Sequence, residues 1–440
     1  MDHGQGGRGL GLRMNDATYA TFSRAIHERY FGKRAPVEVS IEVTHRCPLE
    51  CLHCYNNLPM NDAEARSREM TLAEHCKLLD ELVAAGCLWI CYTGGEIFAR
   101  KDFLDIYTEA KKRGFLITLF TNGTMITPKV ADHLAEWRPF AIEITLYGAT
   151  RETYETLTGI AGSYDRCMRG IRLLLERNLP LKLKTVPTSV NQHEVYEMKR
   201  MAEEEFHVEF KFDSLINPRT DCSQSPVAVR MTPEEVVALD YFDPNRAQEY
   251  RRLLDHALAA PMVVTADDAH RYFCGGGMSG CAIDPKGDMS ICVISHQQSY
   301  NIREAGFTEG WEGPLLAIRN QPRTHPSICD NCKLRSVCGM CPASGELEGG
   351  DPESPVDFLC QVAHLRAYAL GYEVPEHGDC NCCKPGEVHD DLLESAQRIM
   401  KQESDPSLWA GGKTPPAFNV LQPTGGCASG GCGSCAVHQP

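Results

Sequence analysis

Cys47, Cys51 and Cys54 concentrate three thiols in one short loop, Cys47-Pro48-Leu49-Glu50-Cys51-Leu52-His53-Cys54. The spacing is C-x3-C-x2-C, directly after the apolar, β-branched run 37–43. A structural zinc takes four protein ligands, usually from paired C-x2-C clips. A cubic iron–sulfur cluster takes four thiolates at full ligation. Three thiolates on such a cube leave one iron open to a small chelating ligand. A partial zinc clip or a disulfide loop would use the same residues without that chemistry.

The elements that must hold this loop alternate along the chain. Strand patterns cover 37–43, 88–93, 115–120, 141–146, 181–186 and 208–212. Helix patterns fall between them at 71–85, 101–113, 128–137, 164–177 and 194–205. Thr71 with Glu74 reads as a capping box, and Thr127-Pro128 as a helix start. Six strands alternating with helices imply an α/β fold with a parallel sheet and right-handed crossovers, open or curled into a barrel. Functional loops in such folds lie at the carboxyl ends of the strands. The cysteine loop follows the first strand, Gly94-Gly95-Glu96 the second, Thr121-Asn122-Gly123 the third and Tyr147-Gly148 the fourth.

The chain has 440 residues, 42% hydrophobic and 23% charged, enough for two or three globular domains. No run approaches the roughly 18 apolar residues of a membrane span, and the first residues lack the apolar core of a signal peptide. A cytoplasmic location is expected. The net charge of −15 argues against a general nucleic-acid or anionic-membrane binder. The 22 cysteines in such a chain point to metal or redox chemistry rather than disulfides. Fourteen of them lie between Cys274 and Cys435, which marks a second metal domain.

The C-x3-C-x2-C loop after a first strand, with Gly-Gly-Glu after the second, resembles the radical S-adenosylmethionine (radical SAM) enzymes. The resemblance implies a partial (β/α)6 barrel. It implies that Cys47, Cys51 and Cys54 hold a 4Fe-4S cluster whose open iron chelates SAM. Reductive cleavage then yields a 5′-deoxyadenosyl radical. It carries contacts to the SAM amino group to Gly94, Gly95 and Glu96. Asn122 is expected to shape the SAM cavity. Thr145 is expected to supply a ribose contact where relatives have Ser-x-Asp-Gly; this chain has Thr-Leu-Tyr-Gly, so Tyr147 departs from the pattern. The adenine side is expected near 186–191, with His53 packed close by.

Cys274, Cys281, Cys292, Cys329-x2-Cys332-x5-Cys338-x2-Cys341 and Cys360, with Gly287 ahead of Cys292, resemble the SPASM extension of that family. The resemblance implies two auxiliary 4Fe-4S clusters, one on Cys274, Cys281, Cys292 and Cys341 and one on Cys329, Cys332, Cys338 and Cys360. If Cys281 is not a ligand, the first has an open iron. A single zinc on Cys329, Cys332, Cys338 and Cys341 is the simpler alternative. Family use implies a peptide or small-protein substrate modified by thioether formation, carbon–carbon crosslinking or oxidation, with a flavodoxin- or ferredoxin-type electron donor. Val293 follows Cys292 where sulfatase-maturing relatives commonly carry Asp, so that reaction is not expected. A tetrapyrrole or small-molecule substrate is the rival within the family, and a non-catalytic iron–sulfur scaffold the rival outside it.

The expected organisation is an N-terminal segment (1–36), too short for a peptide-binding winged-helix domain, a radical SAM core (37–230), a helical connector (231–272), a small Cys-rich SPASM domain (273–375) and a flexible tail (376–440). The tail has a helix pattern at 390–402. Its Cys380, Cys382 and Cys383 suit a further metal. Cys427, Cys432 and Cys435 lie in Gly/Ser-rich sequence and suit a mobile thiol-bearing tail or a tethered substrate mimic.

Overall fold

The structure is a computed structural model that describes residues 19–30, 32–259, 270–295 and 298–401. Its frame is one sheet of nine strands. Six come from the barrel region: β1 (Glu38–Thr44), β2 (Trp89–Gly94), β3 (Leu116–Thr121), β4 (Ala141–Thr145), β5 (Leu181–Thr185) and β6 (Glu209–Phe212). Three come from the Cys-rich extension: β7 (Gly280–Ile283), β8 (Asp288–Ser290) and β9 (Tyr300–Asn301). The spatial order is β9-β8-β7-β1-β2-β3-β4-β5-β6. Strands β1 to β6 pair in parallel with their sequence neighbours. β1 and β6 are not hydrogen-bonded to each other, so the barrel is partial, as expected.

The extension is not a separate layer. β7 pairs in parallel with β1, with Val39 opposite Cys281. An unpaired β1 edge would leave a row of backbone donors and acceptors open. β7 covers it, and the antiparallel β8 and β9 continue outward.

Alternation in β1 decides its two faces. Val39, Ile41 and Val43 join the main apolar core with Leu78, Leu79 and Leu82 of the helix Leu72–Ala84. That helix opens with the Thr71–Glu74 capping box read from the sequence. Glu42 sits on the opposite, polar face and is fully buried there. The connector forms two helices, Pro233–Phe242 and Pro244–Ala259. Asp240 binds Arg246 (2.8 Å) and also Arg366 (2.6 Å) of the helix Asp357–Ala369, an ion triad around a buried carboxylate that joins connector to extension.

Two expectations need correction. The helix Arg151–Thr158 was not read from the sequence, because only Tyr154 and Leu157 of its buried face are apolar. More consequentially, the part of the tail at 376–401 is packed rather than flexible. Cys380, Cys382 and Cys383 are buried, and the helix Glu387–Lys401 buries Leu392, Ala396 and Ile399 against the extension. Its amphipathic stripe supplies that burial. Cys427, Cys432 and Cys435 lie outside the described residues. Among those residues, no helix is long and apolar enough to cross a membrane.

Candidate active site

The cysteine loop leaves the carboxyl end of β1 and is fixed from three sides. Glu50 N–H donates to Thr158 O (2.9 Å) and Leu52 N–H to Leu157 O (3.1 Å) at the end of the helix Arg151–Thr158. Arg219, beyond β6, donates to Cys54 O (3.2 Å) and to Asn57 Oδ1 (2.8 Å). Arg46, just before Cys47, forms a buried bidentate pair with Glu69 (2.8 and 3.0 Å).

Gly94-Gly95-Glu96 lies directly on this loop. Gly95 N–H donates to Thr44 O (2.7 Å) and Glu96 N–H to Arg46 O (3.0 Å). A Cβ on Gly95 would sit 2.5 Å from His45 O and 2.6 Å from Arg46 O. Gly94 has φ of 120°, a conformation that L side chains rarely adopt. Both glycines are therefore needed for the close backbone approach between the two strand ends.

The Glu96 carboxylate is fully buried. It accepts from Thr121 Oγ1 (2.7 and 2.9 Å), Asn122 N–H (2.8 Å) and Phe98 N–H (3.2 Å). These bonds make its side chain a tie between the loops after β2 and β3. Burial raises its pKa to about 7, against the opposing pull of those donors. Asn122 completes the link, with Nδ2 3.5 Å from Cys47 Sγ.

Burial outweighs the pull of Arg219 on Cys54, whose thiol is pushed up. Burial pushes Cys47 up to about 12, with Glu96 adding to the shift, and Cys51 also far up. A coordinated metal deprotonates a thiol outright, so this donor set fits the cluster. Tyr147 faces it: its hydroxyl hydrogen-bonds to the Cys51 sulfur, and its ring lies 5.4 Å from that of His53. Burial lowers His53 to about 4, and its Nδ1 is buried without a partner, so His53 is a neutral wall residue. Thr145 ends β4, and Asn191 ties the ends of β4 and β5 through Tyr147 O (3.0 Å) and Val186 O (3.3 Å).

Sequence reading missed the charged lumen. Glu143 on β4 binds Lys184 of β5 (3.1 Å) and Lys211 of β6 (2.8 Å). Glu42 on β1 accepts from Asn56 (2.6 Å) and Tyr55 (3.3 Å). Strict alternation with buried apolar residues was the available signal, since a side chain two positions on shares its face. A cavity lined by Lys184, Lys211, Asp213 and Arg246 runs from this lumen to Cys338 of the extension.

The auxiliary cysteines fall into groups along the extension. Cys292 has Cys341 and Cys274 as thiol neighbours, and burial with those neighbours pushes it up to about 11. Cys281 is not brought to them: it is buried on β7, and its titratable neighbours are Cys87, Arg34 and Glu38. Cys338 neighbours Cys332 and Cys329. Cys360 lines the same cavity as those three, yet its Sγ is 3.8 Å from Cys380 Sγ.

Comparison with known proteins gives the same picture. Residues 41–202 match the profile of the Radical SAM superfamily. The AdoMet-dependent heme synthase of Methanosarcina barkeri is 25% identical over 335 residues, covering 72% of this chain and 94% of that protein. The mycofactocin maturase MftC of Mycobacterium tuberculosis is 27% identical over 345 residues, covering 75% and 85%. Streptococcus suis SuiB bound to its precursor peptide SuiA shares the fold, with a TM-score of 0.60 at 17% identity, covering 80% and 85%. The three-cysteine loop at the end of β1, the Gly-Gly-Glu segment seated on it and the match over residues 41–202 identify a radical SAM domain in this chain.

Proposed function

We propose that the chain modifies a peptide or small protein by radical chemistry, forming a thioether, a carbon–carbon crosslink or an oxidised residue. The observation that carries this is the cavity between the β5–β6 end of the barrel and Cys338. It gives an extended substrate room between the carboxyl ends of β5 and β6 and the extension. The likeness to MftC and to SuiB, whose structure holds a precursor peptide, supports a peptide occupant.

A 4Fe-4S cluster on Cys47, Cys51 and Cys54, with SAM, supplies the 5′-deoxyadenosyl radical. The rest falls to the protein. Glu96 and Asn122 fix the loops around the SAM pocket. Gly94 and Gly95 present backbone groups to its amino-acid end. Thr145, Tyr147 and His53 wall the nucleoside side and exclude water. Glu143, Lys184 and Lys211 offer fixed charges to orient polar substrate groups in the lumen.

In this reading, Cys329, Cys332, Cys338 and Cys360 hold one auxiliary cluster. Cys274, Cys292 and Cys341 hold another with an open iron, Cys281 standing apart. Held by these cysteines, such clusters would supply an electron acceptor near the substrate, and a flavodoxin- or ferredoxin-type protein would be the electron donor to the enzyme.

The test is anaerobic reconstitution and reduction with dithionite. About twelve irons per chain are expected, from four per cube, and 5′-deoxyadenosine should form. Joint replacement of Cys47, Cys51 and Cys54 by Ala should abolish it and leave auxiliary iron; persistent SAM cleavage refutes the assignment. Cys281→Ser should keep full iron, whereas Cys292→Ser should lose a cluster. Supplied with a Cys-rich peptide encoded nearby, the enzyme should change that peptide's mass. The likeness to a heme synthase supports a second reading, a tetrapyrrole substrate. That reading prevails if a tetrapyrrole, and no peptide, is altered.

A further inference from the structure

We propose that His364, His377, Cys380 and Cys383 form a closed, mononuclear zinc site, distinct from the iron–sulfur clusters, that staples the segment 376–401 onto the extension. All four side chains are buried, at 0%, 8%, 1% and 3% exposure respectively. Their ligand atoms all lie within 4.8 Å of one another. His364 Nε2 is 3.7 Å from Cys380 Sγ, and His377 Nδ1 is 3.4 Å from Cys383 Sγ. A tetrahedral zinc with bonds of about 2.3 Å to sulfur and about 2.05 Å to nitrogen separates S and N ligand atoms by about 3.6 Å. The observed separations bracket that value. Sulfurs on a four-iron cube stand farther apart, because an iron and the cube core lie between them.

The sequence supplies the clip. Cys380-x2-Cys383 has the spacing of a structural zinc knuckle, and His377 precedes Cys380 by the same interval. His364 comes from the helix Asp357–Ala369. Its Nδ1–H donates to Cys360 O (2.8 Å), which fixes the tautomer and leaves the Nε2 lone pair facing Cys380. His377 Nδ1 also lies 3.1 Å from Pro375 O; ligation replaces the proton that would bridge them. Two thiolates and two neutral imidazoles balance the charge of Zn²⁺, so the complete site is neutral, as burial requires.

A second quartet, Cys360, His364, Cys380 and Cys382, shares two of these residues. Choosing Cys383 and His377 rests on assigning Cys360 to the second auxiliary cluster. Four protein ligands leave no open position, so the role is structural. The metal would fix the turn from which Cys382 O accepts from Tyr368 (2.8 Å), and hence the start of the helix Glu387–Lys401.

The test is elemental analysis of the full-length protein made in medium containing iron and zinc. About one zinc per chain is expected beyond the iron, and in Cys383→Ser or His364→Gln it should fall to about a tenth of that or less. Iron content and SAM cleavage should stay at the parent level in Cys383→Ser. Cys382→Ser should keep its zinc. Zinc X-ray absorption on the unmodified protein should show a shell of two sulfurs and two nitrogens, a readout independent of how any variant folds. Absence of zinc, loss of a whole cluster's iron in Cys383→Ser, zinc loss in Cys382→Ser, or an all-sulfur shell would each overturn the assignment. None of these outcomes depends on which substrate the enzyme modifies.

Discussion

Gly95→Ala tests whether the second glycine of the Gly-Gly-Glu segment acts through backbone contact. The new methyl would stand 2.5 Å from His45 O, 2.6 Å from Arg46 O and 2.7 Å from His45 C. All three are backbone atoms at the entry to the cysteine loop, so no side chain can swing away. Reaching ordinary contact near 3.4 Å requires a shift of roughly 0.9 Å. That shift strains the bonds from Gly95 N–H and Glu96 N–H, each worth about 1 kcal/mol. Overpacking adds about 1–3 kcal/mol, for a total of about 3–5 kcal/mol of lost stability. A misplacement near 1 Å at a reacting centre costs about a hundredfold in rate. The assays are thermal unfolding of the apoprotein and anaerobic 5′-deoxyadenosine formation by the reconstituted enzyme. Gly349→Ala, at a helix end with no atom within 4 Å of the added Cβ, is the control and should be neutral or slightly stabilising. If Gly95→Ala matches that control in both assays, the contact argument fails.

Three further outcomes follow from other parts of the structure. Tyr147→Phe removes the hydroxyl donor to the Cys51 sulfur, so the potential of the SAM-binding cluster should fall, since donors to sulfur favour the reduced, more negative state; an unchanged potential in an EPR redox titration contradicts this. Burial raises the folded pKa of Glu96 from 4.5 to about 7, so the folded state holds its proton longer than the unfolded chain. Its contribution to apoprotein stability should therefore fall by about 3 kcal/mol as pH rises from near 4.5 to near 7, and Glu96→Gln should flatten that slope in denaturant titrations at several pH values. Asp240→Asn leaves the buried Arg366 and the part-exposed Arg246 without their shared carboxylate and should cost about 3 kcal/mol in the same titrations; a loss below about 1 kcal/mol contradicts this.

Much of the site was legible because its signals are local. The strands and the helix caps were readable because alternation and capping depend on neighbours two to four residues apart. All six barrel strands fall within one residue of their expected ends, and the Thr71–Glu74 box forms as read. Cys47, Cys51 and Cys54 share a loop by spacing alone, and Gly94-Gly95-Glu96 follows its strand by order alone. The sequence could also show that fourteen cysteines crowd the last part of the chain.

Which of those cysteines meet was decided by tertiary structure. Cys281 fits the extension's order, yet pairing of β7 with β1 carries it to Cys87 and Arg34, away from Cys274, Cys292 and Cys341. The Glu96 carboxylate could be counted from sequence as a SAM contact, but only the folded loops give it Thr121, Asn122 and Phe98 as donors. The lumen charges Glu143, Lys184 and Lys211 come from three strands and meet because their registers align. Cys380 and Cys383 were readable as metal ligands within a tail, but nothing in the sequence marked His364 or His377 as their partners. Packing of the segment after Val374 against the helix Asp357–Ala369 brings them within ligand distance. Spacing fixes partners a few residues apart; partners tens or hundreds of residues apart are chosen by strand pairing and core burial, which no short window of sequence contains.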